Sequence, residues 1–126
     1  MSSQPRRNAA PASVVRPRVY INPELTLGPG KIDLLRAVGA SGSISGAARE
    51  LGMSYKRAWL LIETLNRGFG QPVTATARGG KGGGGAGLTK LGETLIKEYD
   101  AIEAACTAAT RGNLRSLVAL AHTRLK

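Results

Sequence analysis

Four consecutive residues, Ser54, Tyr55, Lys56 and Arg57, bring together the donors that read and grip nucleic acid. Lys and Arg pair with guanine O6 and N7, while Ser and Tyr hydroxyls suit phosphate oxygens. If these residues open a helix, its free N–H groups add a second phosphate ligand. The residues that follow supply a helix with a buried face: Ala58, Leu61, Ile62, Leu65 and Phe69 recur at spacings of three and four. Trp59 stands at helical spacing to Ile62, Asn66 and Phe69 and is expected in the core behind the contact residues.

A second, shorter pattern precedes this helix. Ile44, Ala47, Ala48 and Leu51 recur at the same spacing, Ser43 is a natural N-cap, and Gly52 supplies a turn. The whole stretch, SISGAARELGMSYKRAWLLIETLNR, has the form of a helix-turn-helix, with Gly46, Ala47 and Ala48 small enough for close helix approach. By pattern alone it fits a plain helical hairpin as well as a DNA reader. Ser43 joins Ser54, Tyr55, Lys56 and Arg57 as a candidate DNA contact.

The remaining elements must hold this pair in place. Residues 1–17 are rich in Pro, Ala, Ser and Arg without an acid, and predict a disordered basic arm whose Arg6, Arg7 and Arg16 could meet a phosphate backbone. Residues 18–22 alternate as a short strand, which Leu25 and Leu27 would continue past Pro23 as an edge. A first helix lies between Gly28 and Gly42, with Pro29 in its first turn and Ile32, Leu34, Leu35 and Val38 as its stripe. Gly39 is expected to help stop it, and Gly68 and Gly70 to end the third helix. Residues 72–78 read as a strand, and GGKGGGGAG leads to a second extended stretch, making a β-hairpin wing with Arg78 at its base and Lys81 in its tip. The glycine tract matches GxGxxG only because it is nearly all glycine, and no strand after the next helix completes a βαβ unit. Lys81 is followed by Gly82, so the Ser or Thr of a P-loop is missing too.

Thr89 caps a long helix from Lys90 to about Thr110. Leu91, Leu95, Tyr99, Ile102 and Cys106 form an apolar seam of coiled-coil type, which predicts a homodimer through that helix. Cys106 then becomes a buried structural thiol. Gly112 should interrupt, before a short amphipathic stretch carrying Leu114, Leu117, Val118, Ala121 and Leu125. The expected organisation is a basic arm (1–17), a winged helix-turn-helix (18–89), a dimerisation helix (90–111) and a short C-terminal helix or linker (112–126). The fold class is mainly α with a small β-hairpin wing.

The 126 residues carry a formal net charge of +10. That balance attracts a polyanion, nucleic acid first. The charge is uneven: between Ser54 and Gly92 stand Lys56, Arg57, Arg67, Arg78, Lys81 and Lys90 against Glu63 alone. One cysteine excludes a disulfide within the chain and points to a reducing interior, hence a cytoplasmic, nucleoid-associated protein. No apolar run approaches the roughly 20 residues of a membrane span, and no signal peptide is visible. Catalysis is not expected: His122 is the sole histidine, and no nucleophile–base pair or metal set can be named.

The run SGSISGAARELGMSYKRAWLLIETLN, followed by GGKGGGGAGLTKLGETLIKEYD, resembles the N-terminal DNA-binding domain of the molybdate-responsive ModE transcriptional regulators of bacteria. The pairing of S-Y-K-x-A-W with a glycine wing ending in L-T carries the resemblance, which covers roughly residues 18–110. It implies a strand, three helices, a two-stranded wing and a long dimerisation helix. It also implies a recognition helix beginning at Ser54–Arg57 with Trp59 behind, and wing contacts from Arg78 and Lys81. The family's molybdate-binding module would follow this domain. The chain ends at Lys126, so that module, and with it any cofactor, is expected to be absent. The expectation is a homodimeric regulator on an inverted-repeat site in double-stranded DNA. The alternatives are a sequence-tolerant architectural DNA-binding protein, or a module that docks a separate sensor protein.

Overall fold

The computed structural model describes residues 13–77 and 85–125. Pro17–Ala101 forms one compact unit, and the described residues up to Arg16 and from Ile102 onward belong to a second.

The first unit is a winged helix-turn-helix. It opens with strands β1 (Val19–Asn22) and β2 (Leu25–Leu27), paired antiparallel with Val19 opposite Leu27 and Tyr20 opposite Thr26. The sequence suggested one strand continuing past Pro23. Instead the chain reverses there, because Asn22 Oδ1 accepts the Glu24 N–H at 3.0 Å and Pro23 presets the turn between them. The reversal drives Leu25 and Leu27 into the core.

Helix α1 (Pro29–Ser41) buries Ile32, Leu34, Leu35, Ala37 and Val38. It runs through Gly39 and stops at Gly42, whose N–H donates to Val38 O at 2.9 Å. Lys31 ties α1 back to β2 by donating to Thr26 O at 2.8 Å. Burial, and secondarily the Arg18 guanidinium, hold its ammonium below the usual lysine range. Helices α2 (Ile44–Leu51) and α3 (Tyr55–Phe69) follow; Gly68 lies inside α3, and Gly70 caps it. The wing strands β3 (Thr74–Ala77) and β4 (Gly85–Leu88) pair antiparallel, with Thr74 opposite Leu88 and Ala77 opposite Gly85.

Helix α4 (Lys90–Ala109) begins in this unit and ends in the other. Its start is capped as the sequence suggests: Thr89 Oγ1 accepts the Gly92 N–H at 3.1 Å. Its apolar seam has a different use from the one expected. Leu95 and Tyr99 are buried in the core of the Pro17–Ala101 unit, Leu91 packs against that core, and the Tyr99 hydroxyl donates to Pro17 O at 2.6 Å. These three residues meet their own chain, within the compact unit that runs from Pro17 to Ala101. Ile102, 36% exposed, and half-buried Cys106 lie beyond it.

In the second unit, Val15 N–H donates to Thr107 Oγ1 at 2.9 Å, and Arg16 pairs with Glu103 at 3.1 Å. Helix α5 (Arg111–Leu125) contains Gly112 within its first turn. The break falls at Thr110, whose hydroxyl donates to Cys106 O while its carbonyl accepts the Leu114 N–H.

Gly92 sits where a side chain cannot: a Cβ there would strike the Val73 carbonyl oxygen and crowd Leu88. Gly92→Ala should lower unfolding free energy by about 1–3 kcal/mol through overpacking. Chemical denaturation would show an earlier midpoint at constant slope, and an unchanged midpoint would contradict the close approach.

Candidate nucleic-acid interface

The two helices of the motif start on identical caps. Ser43 Oγ accepts the Gly46 N–H at 2.9 Å, and Ser54 Oγ accepts the Arg57 N–H at 3.0 Å. Gly46 is required by its own cap, since a Cβ there would stand 2.7 Å from Ser43 Oγ. The turn between the helices is set by Gly52 at φ 70°, a left-handed conformation that disfavours side chains. Its N–H donates to Arg49 O at 3.2 Å and that of Met53 to Ala48 O at 2.9 Å. This pair of bonds is the Schellman arrangement, which satisfies the last carbonyls of α2 and turns the chain into α3.

The caps place Tyr55, Lys56 and Arg57 on the exposed first turn of α3. That turn contains no acid. Glu63 lies further along and sits 3.9 Å from Arg67 on the same helix. The helix dipole and two cations therefore sum at one end, which favours an anion there. Trp59 is not behind these residues: it is 46% exposed. The inward stripe of α3 is Ala58, Ile62 and Leu65, and Trp59 falls just off it because Ala58 takes the adjacent inward position.

A cleft of about 410 Å³ lies between the motif and the wing, lined by residues including Ser43, Ser45, Tyr55, Thr74 and Thr76. It joins two sequence candidates, Ser43 and Tyr55, to both wing strands. Lys56 and Arg57 lie outside its lining, on the open surface of α3. Ser45, Thr74 and Thr76 were not singled out by sequence. The alternation of TATA was a usable signal, since period two puts both threonines on one face of the strand. Arg78 and Lys81 lie outside the described residues.

Backbone bonds fix the wing against the motif. The Ala86 N–H donates to Gly42 O at 2.8 Å, joining β4 to the end of α1. Asn66 Oδ1 accepts the Val73 N–H at 2.8 Å, joining α3 to the foot of β3. Among the described residues no group of three or more His, Cys, Asp or Glu could hold a metal ion, and no helix is long and apolar enough to cross a membrane.

No protein-family model matches the chain. Over 78 residues it is 53% identical to the molybdenum-pterin-binding protein MopB of Rhodobacter capsulatus, covering 62% of this chain and 29% of MopB. Over 72 residues it is 47% identical to the DNA-binding transcriptional dual regulator ModE of Escherichia coli K12, covering 57% of this chain and 28% of ModE. The chain thus spans less than a third of the length of these curated relatives. The crystal structure of the CbnR DNA-binding domain in complex with DNA superposes with a TM-score of 0.53 at 21% identity, over 72% of this chain and 95% of that one. Full-length LTTR LysG from Corynebacterium glutamicum with its bound effector arginine gives a TM-score of 0.54 at 22% identity, over 74% of this chain and 30% of LysG. The ModE resemblance read from the sequence is borne out by the relatives, and the winged-helix fold by the solved structures. The relatives' names are those of regulators and molybdenum-binding proteins, not enzymes.

Removing the cap of α3 should register in stability. Ser54→Ala is expected to cost about 1 kcal/mol, measured by thermal or denaturant unfolding. A variant as stable as the parent would mean that the cap does not position α3.

Proposed function

We propose that this homologue of the ModE regulators is a DNA-binding transcription regulator whose α3 enters the major groove by its N-terminal turn. The observation that carries this is the exposed, acid-free start of α3, where Tyr55, Lys56 and Arg57 project from a capped helix N-terminus. Lys56 and Arg57 read base edges; Ser43, Ser54 and Tyr55 hold phosphates, with Ser43 and Tyr55 facing the wing across one cleft. Arg78 and Lys81 of the wing grip the backbone on the neighbouring groove. In the arm, Arg6 and Arg7 keep the same role, whereas Arg16 is engaged by Glu103.

The regulator acts as a homodimer on an inverted repeat, with two copies of α3 about one helical turn of DNA apart. Of the expected seam, Ile102 and Cys106 are the residues left to pair, because Leu91, Leu95 and Tyr99 are engaged within the chain. Double-stranded DNA as ligand places the protein in the bacterial cytoplasm, at the nucleoid. The signal is a molybdenum oxyanion, a reading supported by the name of the molybdenum-pterin-binding relative. The DNA contacts proposed here use no cofactor. Exposed Leu117, Val118 and Leu120 on α5 favour a second reading, in which the chain also docks a separate sensor protein.

Selection of bound duplexes from a random pool, with and without molybdate, should yield an inverted repeat. Lys56→Ala and Arg57→Ala should relax preference at one base position each, losing about 1–3 kcal/mol of discrimination per bidentate contact. Lys81→Ala should weaken all sequences alike and reduce the salt slope by about 1. Unchanged base preference in both α3 variants would remove α3 as the reader.

A further inference from the structure

The exposed face of α3 is not only cationic. Tyr55 is 55% exposed, Trp59 46% and Leu60 48%. Single exposed apolar side chains are ordinary, but three within six residues of one helix make a patch. Trp59 lies one turn beyond Tyr55, and Leu60 one turn beyond Lys56, so apolar and charged side chains interleave on one surface. None of the three can turn inward, because Ala58, Ile62 and Leu65 already fill the buried stripe.

The charge around the patch selects what covers it. Lys56 and Arg57 flank it on the side of the helix N-terminus, which holds no acid and adds its own positive end, while Glu63, one turn beyond Trp59, is half-buried and lies 3.9 Å from Arg67. The occupant is therefore a polyanion that presents apolar groups at the depth these side chains reach. Duplex DNA presents one such group in the major groove, the C5 methyl of thymine.

We propose that Trp59, flanked by Tyr55 and Leu60, recognises thymine methyl groups in the major groove beside the base contacts of Lys56 and Arg57. This rests on the DNA-binding reading and adds to it a class of base and a residue that reads it. α3 then requires thymine at positions next to those chosen by its cations. The same methyl exists on 5-methylcytosine and is missing from uracil, so the recognition follows the methyl group and not the pairing edge.

The test titrates the full chain with a duplex selected from a random pool, and with the same duplex carrying deoxyuridine for thymine in each half-site. Deoxyuridine keeps the base pair and removes only the methyl. Wild-type affinity should fall about fourfold for each methyl contacted, while uracil in a random duplex changes nothing. Trp59→Ala should bind the thymine duplex more weakly and lose the uracil penalty at the positions that Trp59 covers, with its salt slope and thermal unfolding kept. Trp59→Phe should retain part of the penalty. Equal wild-type affinity for thymine and uracil duplexes overturns the proposal, as does an undiminished penalty in Trp59→Ala. Failure of the wild type to bind any duplex would instead overturn the DNA-binding reading on which it rests.

Discussion

The peptide at Val73 is the constraint on which the rest of the fold depends. Val73 is fully buried at the foot of the wing. Its N–H donates to Asn66 Oδ1 near the end of α3, and its carbonyl accepts the Thr89 N–H at 3.0 Å. The same carbonyl abuts Gly92, and the Thr89 hydroxyl donates to Pro72 O while accepting the Gly92 N–H. One buried residue thereby joins the third helix, the wing and the long helix. A buried peptide left without partners would cost the desolvation of its N–H and C=O. The Ala86–Gly42 bond fixes the second wing strand to the end of α1.

From that junction the cleft follows. With β4 bonded to the end of α1 and Val73 to α3, Thr74 and Thr76 line one cleft with Ser43, Ser45 and Tyr55. The caps do the rest: Ser43 and Ser54 determine where α2 and α3 begin, and so which side chains stand on the first exposed turn. Lys56, Arg57, Tyr55 and Trp59 owe their exposure to a buried stripe built from small Ala58 with Ile62 and Leu65.

Local chemistry was legible in the sequence. Ser43, Ser54 and Thr89 cap helices, and Gly52 turns the motif, because caps and turns are written in residues a few positions apart. Non-local choices were less so. Asn22-Pro23-Glu24 carried its turn signal, but the run on either side of Pro23 also reads as one edge strand. The seam of α4 shows that the helix has a partner without saying which. The Tyr99 hydroxyl donates to Pro17 O, far away in the chain, and buries the middle of the seam within its own chain, while Ile102 and Cys106 lie beyond. Trp59 belonged to two overlapping helical stripes, and only the packing of Ala58 resolved them.

The central claim is that the capped start of α3 reads sequence in duplex DNA. Its most direct test is the affinity of the full chain for a selected inverted repeat and for a random duplex of equal length, each across a series of salt concentrations. Both affinities should fall linearly on logarithmic axes as salt rises, with the selected site at least about a thousandfold tighter than the random one. Affinities within about tenfold of each other would contradict the claim and leave a sequence-tolerant architectural protein.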